Sequence, residues 1–416
     1  MPPLHIAIVG SGPAGCYFAE RLVREAPGSR IDIIDRLPTP YGLVRAGVAP
    51  DHQSTKAITR IFDRVLTRDG VAFWGNVEIG RDVTLDELRG LYDAVVIATG
   101  APRDRRLGVP GEDLPGVVQS GRFVGWLNRH PDHADASFDL AAVRSAVVIG
   151  NGNVALDVVR LLAKTPAELA QSDIAPAVER ALAAMPLETI HIVGRRGPAE
   201  AGFSPHELGE LGTLARAQPI VDAADLPAAD AAPNKPVIAI LADFASRPAA
   251  AKPLAIRFHF GAGPSRFAGA QRVEAAHFIR PDGGETILAA DLVVTCIGYR
   301  AASFCTLAPE DGVFANAGGL IAPGLYVVGW AKRGPSGTIA TNRAEAHDVA
   351  QRLLAEIVPD GRVGAAGLAA LLCERGTRRI DYAAWLHIDA AERGRAQPGR
   401  PREKFPDLAA LLANAS

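Results

Sequence analysis

Residues 6–22 read "IAIVGSGPAGCYFAERL". A short apolar run, Ile6 to Val9, ends at Gly10, and Gly10, Gly12 and Gly15 follow in the spacing G-x-G-x-x-G as the chain turns into a helix near Pro13. The first glycine allows a tight turn, the second lets a pyrophosphate approach the backbone, and the third lets helix and strand pack closely. The helix N-terminus adds unpaired N–H groups and a partial positive charge. An ordinary strand, turn and helix can produce the same spacing, so the context decides. Residues 30–36, "RIDIIDR", supply a second strand, and Asp35 at its end is placed to accept hydrogen bonds from ribose hydroxyls.

A second loop lies at residues 146–162, "AVVIGNGNVALDVVRLL". The strand through Val147 to Ile149 turns at Gly150, Gly152 and Ala155, and Asn151 and Asn153 stand where short side chains or backbone amides meet phosphate. The next strand, "TIHIVGRR", arrives late, after a helical excursion over 165–186 bounded by Pro166 and Pro186. It ends not in an acid but in Arg195 and Arg196. An isolated pair of this kind before Gly197 and Pro198 reads as an exposed basic turn. At the end of a dinucleotide fold's second strand, two guanidinium forks point to the 2′-phosphate of NADP(H).

Two loops imply two nucleotides, and the combination expected is FAD with a nicotinamide. "YDAVVIATG" (92–100) and "ADLVVTCIGY" (290–299) are buried strands, each ending in a small-residue turn that lets the chain cross between units. Residues 324–354 repeat strand, glycine turn and helix, with the helix starting near Thr338. The fold class expected is α/β, with two Rossmann-like dinucleotide-binding domains and the NADP domain inserted into a discontinuous FAD domain. The boundaries read 1–104 and 321–416 for FAD and 105–320 for NADP. Residues 219–252, rich in Ala, Pro and Asp, read as a surface excursion.

Composition narrows the partners. A net charge of −2 gives no whole-chain attraction to nucleic acid or anionic membrane. No uncharged apolar run reaches the ~18 residues of a membrane span, and a cytoplasmic protein with no signal peptide is expected. Cys16, Cys296, Cys305 and Cys373 are scattered, which argues against a dithiol, an iron–sulfur cluster or a metal site. They read as small buried hydrophobes. Redox chemistry then falls to an organic cofactor.

Four stretches in order, "PTPYGLVRAGVAPDH" (38–52), "IGNGNVALD" (149–157), "VGRRGP" (193–198) and "GWAKRGPSGTIATN" (329–342), resemble the adrenodoxin reductase family of ferredoxin–NADP reductases, including its bacterial members. The resemblance runs from about residue 4 to the end and is weakest over 219–290. Gly329 followed by Trp330, where many two-dinucleotide flavoproteins have Gly-Asp, is characteristic of this branch. The resemblance implies FAD contacts from Ala14, Asp35, Leu43, Val77 and Trp330 and from the backbone of Gly337, Thr338 and Ile339, beside the loop glycines Gly10, Gly12 and Gly15. For NADP it implies Asn151, Gly152, Asn153, Val154, Arg195, Arg196, Glu207 and Gly337.

The chain departs from the family at two places. Asp35 stands where the family usually has the longer Glu, and Gly209 where a basic residue that helps face an acidic ferredoxin is common.

The activity implied is hydride transfer from NADPH to FAD and single-electron delivery to a ferredoxin-like iron–sulfur protein. The partner is expected to bind transiently through charge to a monomeric reductase. His52 and Glu210 align with residues near the nicotinamide and read either as positioning groups or as a structural hydrogen-bonded pair. Tyr41 and Trp330 read as shields of the rings or as packing. Arg393, Arg395, Arg400, Arg402 and Lys404 read as a solvated basic tail or as a docking patch for the acidic partner. The alternatives are an NADPH-oxidising flavin subunit of a larger complex and a non-catalytic nucleotide-binding regulator.

Overall fold

The computed structural model describes residues 3–227, 234–248 and 252–416. Two six-stranded sheets organise them. In the first, the spatial order is Leu320–Ala322, Leu325–Val327, Ala94–Ile97, His5–Val9, Arg30–Ile34 and Val71–Trp74. All neighbours run parallel except the pair at the Leu320–Ala322 edge. The second sheet runs Val117–Gln119, Leu292–Thr295, Ser145–Ile149, Thr189–Val193, Leu254–His259 and Ala217–Ile220, parallel throughout. Inner strands such as Ala94–Ile97 and Leu292–Thr295 are buried at every position. Covered on both faces, they must be apolar without alternation.

Helices Pro13–Glu25 and Ile339–Glu356, from opposite ends of the chain, pack on each other in the first sheet's core. The helix Asn153–Ala163 covers one face of the second sheet. Its other face lies under the antiparallel strands Gly263–Ala268, Ala275–Ile279 and Glu285–Ala289, where Phe267 and Phe278 join Val147, Ile149 and Val193. The chain crosses between sheets twice, and the two passages pair: Arg103–Asp104 runs antiparallel to Tyr299–Arg300. One α/β nucleotide-binding unit is thus inserted in another.

The same device terminates the leading strand of each unit. Gly10 (φ +114°) and Gly150 (φ +140°) stand against the carbonyls of Ala98 and Cys296, each just beyond a neighbouring strand. A Cβ at either glycine would overlap that oxygen, and the backbone conformation is itself one that side chains rarely adopt. The loop can leave the strand only through glycine.

Three expectations change. The 219–252 stretch, of which 228–233 and 249–251 lie outside the described residues, is more than a surface excursion. Its first two residues complete the strand Ala217–Ile220 at the sheet edge, and the helix Lys235–Ser246 within it buries Val237, Ile238, Leu241 and Phe244. Apolar spacing at i, i+1, i+4 and i+7 outweighs its alanine-rich, polar composition. Of the cysteines, Cys16 and Cys296 are buried but Cys305 and Cys373 are exposed.

The basic tail is neither solvated along its length nor a free patch. Lys404 is 3% exposed, its ammonium 3.0 Å from Asp173 and 3.1 Å from the Asn128 oxygen. Lys56 donates to the same Asp173 at 2.8 Å. Arg400 pairs with Glu179 and donates to the Ile174 carbonyl at 3.1 Å. Arg402 pairs with Asp389 and Glu392, Arg393 with Asp389, and Arg395 with Glu403. Beyond it, Phe405, Leu411 and Ala415 enter the first sheet's core. The tail is a strap across both units, and the excursion 165–186 supplies two of its acids, Asp173 and Glu179.

Burial opposes ionisation of Asp173, but the Lys404 and Lys56 ammonium groups overcome it and hold the pKa at about 2. Burial pushes the Lys404 ammonium well down in turn. A folded pKa below the unfolded one gives stability that is fully present above about pH 4 and is lost as pH falls toward 2. Asp173→Asn should therefore cost about 3–5 kcal/mol at pH 7 by stranding buried cations, and the gap to the parent should narrow below pH 4. Arg393→Gln, at a side chain 63% exposed, should cost less than about 0.5 kcal/mol. Urea unfolding followed by tryptophan fluorescence measures both, and an unchanged Asp173→Asn midpoint at pH 7 would refute the strap.

Candidate functional site

The residues expected at the first nucleotide gather around the first loop. The Asp35 carboxylate accepts from the Ser11 N–H at 2.9 Å, the Ser11 hydroxyl and the Leu37 N–H at 3.0 Å. A carboxylate offers about four lone-pair sites, so one remains for a ribose hydroxyl. Buried Val77 donates its N–H to the Asp35 carbonyl at 3.0 Å.

Gly42 (φ +50°) brings bare backbone against Gly12: a Cβ on it would stand 3.0 Å from the Gly12 Cα. Beside it Leu43 is left 43% exposed. From the far end of the chain, Gly329 lies on Ala14, where a Cβ at the glycine would come within 2.6 Å of the alanine Cβ.

Trp330 comes next, stacked on Tyr299 with centroids 6.2 Å apart. Its buried indole N–H has no acceptor among the described residues. Gly337 (φ +78°) leads into Thr338, which caps the helix Ile339–Glu356 and donates its N–H to the Thr341 hydroxyl at 3.0 Å. A side-chain-free cradle, an uncovered leucine and a leftover indole donor fit a dinucleotide with a flat apolar ring. Tyr41 is set back from it. Its hydroxyl bonds Asp63, its ring packs on Phe62, and the Trp385 indole donates to its oxygen at 3.3 Å.

At the second loop, Gly152 precedes Asn153 and Val154 in the first turn of Asn153–Ala163. The Asn151 carbonyl accepts from the Gly202 N–H at 2.7 Å. Its buried carboxamide, which has no partner among the described residues, faces Gly194 so closely that a Cβ there would overlap it. The Asn153 carboxamide oxygen is committed to the Ser204 N–H at 2.8 Å. That bond ties the loop to the helix Pro205–Leu211 and leaves the asparagine's nitrogen for other partners.

Arg195 and Arg196, just past Thr189–Val193, are exposed, with no ion pair among the described residues. Two unpaired guanidinium groups beside a strand end fit a phosphate. A nicotinamide dinucleotide phosphate suits this second cradle.

His52, Glu207 and Glu210 come together. The His52 Nε2 lies 3.2 Å from the Glu210 Oε2 and 3.4 Å from the Glu207 Oε2. The structure adds three residues that sequence reasoning missed: Asp51, Asp157 and Arg160. Arg160 is fully buried, and burial opposes its charge, yet Asp51 and its other acid neighbours hold it protonated. Burial likewise opposes the Asp51 carboxylate, but Arg160 and Lys164 draw its pKa well down. Burial pushes the Asp157 carboxyl up to about 6, with Arg160 opposing and Glu207 reinforcing. The signal that was available is the Asp157–Arg160 spacing of three inside an otherwise apolar helix, which places two charges on one buried turn. Three of these groups have the reach to ligate a metal. The Arg160 guanidinium, 3.0 Å from Glu207 and 3.2 Å from Glu210, opposes a cation there.

Residues 4–193 match the family model described as pyridine nucleotide-disulphide oxidoreductase. The NADPH-ferredoxin reductase FprA of Mycobacterium tuberculosis is 39% identical over 99% of both chains. The mitochondrial NADPH:adrenodoxin oxidoreductase of Homo sapiens is 38% identical over 98% of this chain and 91% of its own. The structure of Mycobacterium tuberculosis FprA in complex with NADPH superposes with a TM-score of 0.94 over 99% of both chains at 38% identity. Similarity of this extent and identity leaves one assignment: the chain belongs to the adrenodoxin reductase-type family of ferredoxin–NADP reductases.

Proposed function

We propose that this chain is an FAD-dependent NADPH:ferredoxin oxidoreductase that passes electrons to a small iron–sulfur protein. It works as a cytoplasmic monomer and meets its partner transiently through charge. Residues 1–104 and 321–416 form the FAD unit and 105–320 the NADP unit. The observation that carries the reading is the contrast between the two strand ends: an acid, Asp35, bonded to the first loop, and two exposed arginines just past Thr189–Val193 with no ion pair among the described residues. The full-length likeness to named NADPH reductases supports it.

Bound together, the two nucleotides supply hydride chemistry and its conversion to single electrons. The chain's own residues bind and orient. Asp35 holds a ribose, Gly12 and Gly42 admit the pyrophosphate, and Ala14, Leu43, Val77, Trp330 and Gly337 through Ile339 enclose the flavin. Asn151 through Val154 receive the second pyrophosphate, and Arg195 and Arg196 grip the 2′-phosphate. Glu207, with His52 and Glu210, lines the nicotinamide end. No side chain acts as a nucleophile. Among the described residues no helix is long and apolar enough to cross a membrane.

The purified protein should be yellow and bleach on anaerobic addition of NADPH. A folded, colourless protein that takes up no FAD would overturn the reading. A hydrogen bond to a charged group contributes roughly 1.5–3 kcal/mol, about ten- to a hundred-fold per arginine. Arg195→Ala with Arg196→Ala should therefore raise the KM for NADPH far more than that for NADH. Equal losses with both donors would argue against phosphate recognition.

Ferredoxin reduction should be more salt-sensitive than ferricyanide reduction, because the Debye length shrinks from about 10 Å at 0.1 M to about 3 Å at 1 M. Hydride transfer is common to both assays, so parallel decline would exclude electrostatic docking. Arg400, Arg402 and Lys404 of the tail are taken up in internal pairs, which leaves only Arg393 and Arg395 of that segment's cations exposed.

A further inference from the structure

Arg160 occupies an unusual position for a charge. It lies two turns into the helix that starts at the second loop, and its side chain is wholly buried. Its Nε and Nη2 donate to the two oxygens of Asp51 at 2.8 and 3.1 Å, a bidentate fork. Its Nη2 also reaches Asp157 at 2.7 Å and the His52 Nδ1 at 3.4 Å. Its Nη1 reaches Glu207 at 3.0 Å and Glu210 at 3.2 Å.

These partners come from three elements. Asp51 and His52 lie between the Gly42 turn and the helix Gln53–Lys56, on the flavin side. Asp157 shares the second-loop helix, and Glu207 and Glu210 belong to Pro205–Leu211. One planar guanidinium therefore ties the segment that carries Asp51 and His52 to two helices of the inserted unit.

The charge balance explains why the fork is needed. Arg160 and Lys164, which donates to Asp51 at 2.6 Å, face the carboxyl groups of Asp51, Asp157, Glu207 and Glu210. Without Arg160 these groups would repel, and His52, held at 3.2 Å by Glu210 and 3.4 Å by Glu207, would lose its frame. Lysine keeps the charge but not the fork.

We propose that Arg160 is a positioning residue for hydride transfer: through Asp51 on one side and Glu207 and Glu210 on the other, it fixes His52 and the distance between the two rings. The proposal rests on the NADPH reductase reading. The NADP 2′-phosphate, by contrast, is gripped at Arg195 and Arg196, outside this cluster.

The test compares Arg160→Gln, Arg160→Lys and Asp51→Asn holoenzymes with the parent. It measures the limiting rate of anaerobic flavin bleaching by NADPH, NADP+ affinity by calorimetry, and thermal unfolding. A misplacement of about 1 Å costs up to about a hundred-fold in rate. Arg160→Gln should therefore lower the limiting rate at least about ten-fold, while the NADP+ dissociation constant changes less than about three-fold. Arg160→Lys should recover only part of the rate. Asp51→Asn should also slow the step, and its combination with Arg160→Gln should lose less than the two losses multiplied, as partners in one contact do.

A limiting rate within about two-fold of the parent in Arg160→Gln would overturn the proposal. So would a fall in rate matched by an equal fall in NADP+ affinity, or full rescue by lysine. If Arg160→Gln does not fold, Asp51→Asn decides alone, and an unchanged rate there overturns it. A parent protein that NADPH does not bleach refutes the reductase reading instead.

Discussion

Buried positive charge between the two sheets is the constraint on which their arrangement depends. Arg160 and Lys404 are 0% and 3% exposed, where an uncompensated cation would be strongly destabilising. In each case an essential partner comes from across the unit boundary. Arg160 of the inserted unit takes the fork of Asp51, and Lys56 and Lys404 of the outer unit share Asp173. Apolar faces alone tolerate sliding. A guanidinium whose donors are shared among four carboxyl groups does not, so these pairs select one register between units that each have their own core.

The two units use one backbone device and different side chains. Gly10 against Ala98 and Gly150 against Cys296 place each loop at the same point relative to its sheet. The units diverge at the end of the second strand. Asp35 turns inward and is hydrogen-bonded by its own loop through Ser11 and Leu37. Arg195 and Arg196 turn outward and stay unpaired among the described residues. The acid that also shapes its loop is held rigidly, whereas the arginine pair is left available at the surface.

This contrast accounts for the part of the molecule that was legible in the sequence. The loops, their strands and the arginine pair are local: apolar runs, glycine spacing and neighbours in the chain carry the signal. The helix Lys235–Ser246 was passed over within the 219–252 excursion because the composition of that stretch was weighed above the spacing of Val237, Ile238, Leu241 and Phe244. The tail was misread because its charges were counted without their partners, which for Arg400 and Lys404 lie more than 200 residues away. The Arg160 cluster was only half seen. His52 and Glu210 stood out through family resemblance, but the fork that holds them joins residues 109 positions apart, and no local pattern encodes such a distance.

The first nucleotide cradle also needs the end of the chain. Tyr41, a bulky residue at φ +81°, is strained there. It is held by the Asp63 carboxylate, which also takes the Tyr382 hydroxyl at 2.7 Å, and by the Trp385 indole. Arg45 lies over the Trp385 ring at 5.0 Å and pairs with Glu392. That framework sets Gly42 against Gly12, while Gly329 closes over Ala14. The first loop is therefore completed by residues more than 300 positions later, after the inserted unit has been made. Closing so long a loop carries an entropic cost that only grows slowly with length. The gain is a cradle whose walls are set by the packed tail rather than by a mobile surface segment. The inserted unit, with both its crossings paired at Arg103–Asp104 and Tyr299–Arg300, brings the chain back at Trp330. The discontinuity of the outer unit is thus the route by which one chain closes the first glycine loop from both ends, through Gly42 and through Gly329.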